Sequence, residues 1–182
     1  MRNDRITWTP MTRGARRLAC AMTAAVVTLT GTRALAADAS TASAPAPLRR
    51  IVVSIPDRKL ALIENDSVVR VFDVAVGAPQ SPSPVGTFTI VSRVTNPAYY
   101  HPGKVIAPGA TNPIGTRWIG LSEKGFGIHG TDDPDSIGHA RSHGCIRLRN
   151  ADVEKLFSRV RGGDVVELHA ERTPQIDALF TR

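Results

Sequence analysis

Cysteine is nearly absent from this chain, which carries only Cys20 and Cys145. Aromatic residues are also sparse, with five Phe and two Tyr, and the basic residues are scattered. That excludes the clustered cations interleaved with stacking rings that nucleic-acid binding requires. The apolar run from Leu18 to Leu29 is a dozen residues, well short of the ~20 that span a bilayer. There is no internal repeat, and 182 residues suit about one globular domain plus accessories.

What is present begins with a leader. Arg13, Arg16 and Arg17 precede the apolar run, and Ala34-Leu35-Ala36 follows it as a small-x-small cleavage pattern. Residues 1–36 are read as a secretory signal peptide cleaved after Ala36, with general secretion fitting better than twin-arginine export. The mature chain is therefore expected in the periplasm or elsewhere in the cell envelope, without stable membrane insertion. Cleavage removes most of the basic excess: residues 37–182 hold 17 Lys and Arg against 15 Asp and Glu, a net charge of +2. It also removes Cys20, which follows the arginines too closely to be a lipoprotein cysteine. Cys145 is left without an intramolecular disulfide partner, an exposed liability in an oxidising compartment unless the thiol has a use.

Residues 37–49, mostly "ADASTASAPAPL", have too little apolar bulk to offset ordering entropy and read as a flexible linker. A catalytic domain is expected over 50–170 and a C-terminal tail over 171–182. Three β-branched-rich runs, Ile51–Ile55, Leu60–Ile63 and Val68–Val76, are separated by Pro56-Asp57 and Asn65-Asp66, the pattern of a β-meander. Thr87–Val91, Trp118–Leu121, Gly127–His129 and Val165–Leu168 add further strands. One helix is predicted, with Asn150 as its cap, Asp152 in its first turn, and Val153, Leu156, Phe157 and Val160 at i, i+3, i+4 and i+7. Gly162-Gly163 is expected to end it. The fold class is mostly β, with sandwich-like mixed sheets and one main packed α-helix.

The segment "SHGCIRLRN" falls between a strand ending at His129 and this helix. Cys145 there has three readings. An inert core thiol belongs in an apolar strand or helix, not beside Gly144 in a polar loop. A metal ligand set can be drawn from His129, His139, His143 and Cys145, but His139 and His143 share a face only on a helix, and "IGHARSHGC" lacks helical periodicity. A Cys–His nucleophile needs only a base that meets the sulfur in space, for which His129 and His143 are both candidates. A nearby imidazole or partly positive backbone is expected to lower the thiol pKa and make thiolate available near neutral pH. Asp132, Asp133 and Asp135 read as a polar turn, because "TDDPDS" lacks the glycine and glutamate spacing of a calcium loop.

The stretch "HGTDDPDSIGHARSHGCIRLRNADVEKLF", His129 to Phe157, resembles the signature of the YkuD-type L,D-transpeptidase catalytic domain. "VGAPQSPSPVGTFTI" (Val76–Ile90) and "NPIGTRWIGL" (Asn112–Leu121) resemble two upstream segments of that family. Arg147 stands where some members carry Asn. The resemblance implies attack by Cys145 on a peptidoglycan tetrapeptide stem, release of D-Ala, and transfer of the acyl group to an amine. The acceptor would be a second stem, giving a 3-3 cross-link, a D-amino acid, or a lysine of an outer-membrane lipoprotein.

In that scheme His129 is general base and then acid, and His143 holds or polarises substrate. The Gly130 carbonyl orients His129. Backbone N–H groups of Gly144 and Cys145 line an oxyanion hole, and Ser142 makes a local structural hydrogen bond. Arg147 pairs with a substrate carboxylate, and Trp118 and Tyr100 wall the donor groove. No metal and no cofactor are implied. A carboxypeptidase or hydrolase of the same fold and a non-catalytic wall-binding module are the alternatives; both enzymes need the same thioester.

Overall fold

The computed structural model describes residues 48–181, so the predicted leader and nearly all of the linker lie outside the described residues. The expected meander forms. β1 (Arg49–Ser54), β2 (Lys59–Glu64) and β3 (Ser67–Asp73) pair antiparallel in sequence order. Asn65 and Asp66, with φ of +48° and +59°, make the tight turn between β2 and β3, the conformation that two-residue hairpins require.

Further along come β4 (Val76–Gly77), β5 (Gly86–Thr95), β6 (Tyr99–His101) and β7 (Lys104–Ile106). They are followed by β8 (Arg117–Leu121), β9 (Gly127–His129), β10 (Ala140–Ser142), β11 (Ile146–Arg147) and β12 (Val165–His169). Eight of these strands form one mixed sheet in the order β11-β9-β8-β5-β12-β1-β2-β3. The β1–β12 and β9–β11 pairings are parallel. Two small sheets, β4 with β10 and β6 with β7, complete the strands among the described residues.

Both faces of β1 are covered, which explains its unbroken apolar run. Ile51 and Val53 enter the main core, whereas Val52 between them packs with Ile63 against the other face, as the two-residue period of a strand dictates. Helix α1 (Asn150–Arg159) adds Val153 and Leu156 to the main core. The segment read as a tail contains a second short helix, α2 (Pro174–Phe180), started by Pro174 and by the Thr173 hydroxyl accepting from the Ile176 N–H. Ile176 covers Val52 and Ile63, and Arg172 pairs with the Asp57 carboxylate.

Two details of α1 depart from the sequence expectation. Asn150 is the first helical residue and caps nothing; the cap position is Arg149, without a side-chain hydrogen bond. The Asn150 amide is drawn elsewhere because two backbone groups need it. Its Oδ1 accepts from the Thr116 N–H at 3.1 Å and its Nδ2 donates to the Thr131 carbonyl at 3.1 Å. The amide fits because Gly115 and Gly130 leave its space open: a Cβ on either would lie 2.1 Å from Asn150 Oδ1. The helix also stops at Arg159, ahead of Gly162-Gly163, and Gly163 (φ +89°) instead turns the chain to donate its N–H to the Ile90 carbonyl.

Removing the amide should strand two partly buried backbone groups, so Asn150→Ala is expected to lose about 2–3 kcal/mol of stability. Asn150→Ser, adequate for a simple helix cap, is expected to remain almost as unstable, because its hydroxyl cannot reach both partners. Denaturant midpoints for the two variants at unchanged m-value check this.

Candidate active site

Strands β8, β9 and β11 run side by side, and their registers place Trp118 opposite His129 and His129 beside Arg147. Ile119, Ile128 and Ile146 form the adjacent row and go into the core. One residue's shift in register therefore separates a buried apolar row from a cavity-lining row of indole, imidazole and guanidinium. Cys145 immediately precedes β11, in the turn from β10.

That turn is held from two sides. Backbone bonds join Ala75 to Arg147 in both directions, and the N–H groups of Val76, Ala78 and Gly138 donate to the carbonyls of His139, Ser142 and Val74. Within it, the Ser142 hydroxyl donates to the Cys145 carbonyl at 2.5 Å and accepts from the Gly144 N–H at 3.0 Å. Gly144 has φ +105°, and a Cβ there would lie 2.5 Å from the Phe126 ring and 3.1 Å from the Pro82 carbonyl. Only glycine meets both conditions. The Gly144 N–H, expected in an oxyanion hole, is thus taken up by Ser142.

A cavity of about 630 Å³ opens over this row. Cys145, His129, His143, Ser142, Arg147, Trp118 and Tyr100 all line it, whereas Gly144 and Gly130 do not. His101, His139 and His169 do not line it. Sequence reasoning missed the apolar wall from Val94, Pro97 and Ile114, residues with no chemical signature. It also missed the β6–β7 hairpin, which presents Tyr100 at 75% exposure. Buried Asn112 ties that hairpin down: its Nδ2 donates to the carbonyls of Pro97, Ile106 and Ala107, and its Oδ1 accepts from Ile114 N–H. The Asn112-Pro113 dipeptide was the available turn signal. Among the described residues, no group of three or more His, Cys, Asp or Glu side chains is placed to hold a metal ion.

His129 is 4% exposed. Its Nδ1 lies 2.5 Å from the Gly130 carbonyl, and because a carbonyl only accepts, Nδ1 carries the proton and Nε2 has a free lone pair. Burial pushes the imidazole pKa down to about 4; the Gly130 bond opposes this and the Arg147 charge reinforces it. The half-buried Cys145 thiol donates to the Gly125 carbonyl at 3.7 Å. Burial raises its pKa, overcoming the Gly127 backbone hydrogen bond and Arg147. The lowered thiol pKa expected from sequence is therefore reversed, because loss of hydration outweighs the nearby positive groups. The resting pair is a neutral thiol and a neutral imidazole. Arg147 reaches Asp133 only at 3.9 Å, and its buried Nε has no hydrogen-bond partner.

The family model described as the YkuD L,D-transpeptidase catalytic domain matches residues 48–168. The chain belongs to the YkuD L,D-transpeptidase catalytic domain family. It is 41% identical over 119 residues to the putative L,D-transpeptidase YkuD of Bacillus licheniformis, covering 65% of this chain and 64% of that protein. It is 39% identical over 119 residues to its Bacillus subtilis namesake, covering 65% of each. The chain thus spans just under two thirds of these relatives. In fold it is similar to an L,D-transpeptidase from Mycobacterium tuberculosis, with a TM-score of 0.58 at 22% identity over 68% of this chain and 58% of that one. L,D-transpeptidase 3 of the same organism, solved with a faropenem-derived adduct, gives 0.56 at 23% over 69% and 61%.

Two measurements follow from the protonation states. Alkylation of Cys145 by iodoacetamide should rise with pH to a midpoint above that of an ordinary thiol, move higher still in Arg147→Met, and change little in His129→Ala. A midpoint near 6 that is lost in His129→Ala would instead reveal a preformed thiolate–imidazolium pair.

His129 also links pH to stability. The unfolded imidazole titrates near 6.5 and the folded one near 4, so between those values the unfolded state binds the extra proton. Stability should be full above about pH 6.5 and fall by on the order of 3 kcal/mol as pH drops through 4. Denaturant unfolding at pH 7 and pH 4.5, with and without His129→Phe, checks that the substitution removes most of the fall.

Proposed function

We propose that this protein is an exported peptidoglycan L,D-transpeptidase with Cys145 as nucleophile. The observation that carries the reading is the convergence, in one cavity, of the thiol and an imidazole whose Nε2 is free to accept a proton. The donor is a tetrapeptide stem, cut at its L,D amide, between the L-centre of meso-diaminopimelate and terminal D-Ala.

Because both partners rest uncharged, proton transfer accompanies attack. The thiol proton passes to His129 Nε2 as sulfur bonds the carbonyl carbon. The imidazolium then returns that proton to the D-Ala nitrogen as the C–N bond breaks, leaving a thioester. An incoming amine attacks the thioester and gives its proton to His129, and the thiol is regenerated as the new amide forms. An imidazolium pushed down to about pKa 4 is a strong acid toward the departing amine, which suits bond cleavage.

The Cys145 N–H supplies an oxyanion donor, because the Gly144 N–H is engaged by Ser142. Gly130 keeps His129 in the required tautomer. Arg147, loosely held by Asp133 and with Nε unsatisfied, takes a stem carboxylate. Exposed His143 and Tyr100 hold the peptide, with Trp118 along the wall. The envelope location rests on the leader, and among the described residues no helix is long and apolar enough to cross a membrane.

Incubating the enzyme with tetrapeptide muropeptides and mass-analysing the products tests the reading. Loss of D-Ala with formation of 3-3 dimers, D-amino-acid-exchanged stems or lipoprotein-linked stems is expected and names the acceptor. Tripeptide alone would identify a carboxypeptidase. Cys145→Ala should form no acyl-enzyme; turnover by that variant would remove the nucleophile assignment.

A further inference from the structure

The row Trp118–His129–Arg147 contains a contact that a groove wall does not need. The Trp118 indole stacks on the His129 imidazole, with ring centroids 5.6 Å apart and planes tilted by 19°. It can lie there because the next cross-strand pair on the same face, Gly120 and Gly127, lacks side chains. A Cβ on Gly127 would fall 2.6 Å from Trp118 Cη2 and Cζ2, and one on Gly120 would fall 2.9 Å from Trp118 Nε1. The two glycines form a trench in the sheet surface that accepts the indole.

We propose that Trp118 is a positioning residue for His129, its indole seated in the Gly120–Gly127 trench and fixing the plane and dryness of the imidazole. This rests on the reading of His129 as the base. The indole covers one flank of the ring while the Gly130 carbonyl holds Nδ1. The imidazole is thereby left with Nε2 as its free polar atom, in an orientation set by two contacts in different directions. A substrate wall alone would require neither the trench nor the stack.

The charged and titratable groups around the ring are few. Arg147 flanks it from β11, with Asp133 beyond at 3.9 Å from the guanidinium. Cys145 and His143 face the cavity from the β10–β11 turn, and Tyr99 and Tyr100 from the hairpin. The indole acts on protonation in two opposing ways. Its π face attracts an imidazolium, whereas the water it excludes disfavours one. Burial is the largest influence on His129, so exclusion wins, and uncovering the ring should make it easier to protonate.

The test is histidine titration by carbon–proton NMR of the full chain labelled at its five histidines, which requires no turnover and so can fail independently of the transpeptidase reading. In wild type the His129 signal should hold its neutral position until close to pH 4. In Trp118→Leu its midpoint should rise by at least one pH unit, a tenfold or greater gain in proton affinity. Trp118→Phe, which keeps a smaller stacked ring, should shift it less. With tetrapeptide substrate, the acid limb of kcat/KM should move by the same amount in each variant, with kcat falling more than KM rises. An unmoved His129 midpoint in Trp118→Leu, with KM raised, would overturn the proposal and return Trp118 to the groove wall. If Trp118→Leu does not fold, Trp118→Phe decides alone: an upward shift supports the proposal and an unmoved midpoint with raised KM defeats it.

Discussion

Strand β9 is three residues long, yet its pairing on both edges sets the row Trp118, His129 and Arg147 that lines the cavity. Antiparallel contact with β8 puts Trp118 across from His129, and parallel contact with β11 puts Arg147 on the other side. Because side chains alternate across a strand, the same pairing sends Ile119, Ile128 and Ile146 into the core. The apolar row is fully buried and so specifies register strongly. Core packing thereby fixes the spacing of the cavity-lining row, and the turn carrying Cys145 follows directly from where β11 begins.

Much of this was legible in the sequence, for physical reasons that differ by element. The β1–β3 meander was readable because β-branched runs alternate with Asn65-Asp66 turn chemistry, and α1 because Val153, Leu156 and Val160 recur at helical spacing. The strands β10 and β11 were not readable, being two or three residues long and held by backbone pairing to a segment some 65 residues earlier, around Val74–Ala78. Asn150 looked like a cap since Asn before an apolar helical run usually is one. Only the tertiary approach of Gly115 and Gly130 reveals its use as a backbone bridge. The residue types of the site could be named from the motif, but not their protonation states. Those depend on burial, which a linear string does not carry.

Burial also distinguishes this thiol from one activated as a standing thiolate. A dry setting raises Cys145 and lowers His129, so the charge-separated pair lies uphill of the neutral one. Arg147 depresses both groups: it favours sulfur as an anion while disfavouring imidazolium. Any anion placed on Arg147 would offset its charge and so ease proton uptake by His129.

The position of β12 in the sheet carries its own consequence. Among the described residues it is the only strand that joins β5 to β1, pairing antiparallel with the former and parallel with the latter. Without it the other seven strands fall into two separate sets, the β1–β3 meander and the β5-β8-β9-β11 group that lines the cavity. Assembly must therefore wait for Val165–His169 to meet Arg49–Ser54, a closure of high contact order that slows folding. The β9–β11 pairing lies inside one of those sets, so a chain not yet closed by β12 can already bring Cys145 near His129 while the sheet beneath them is still incomplete.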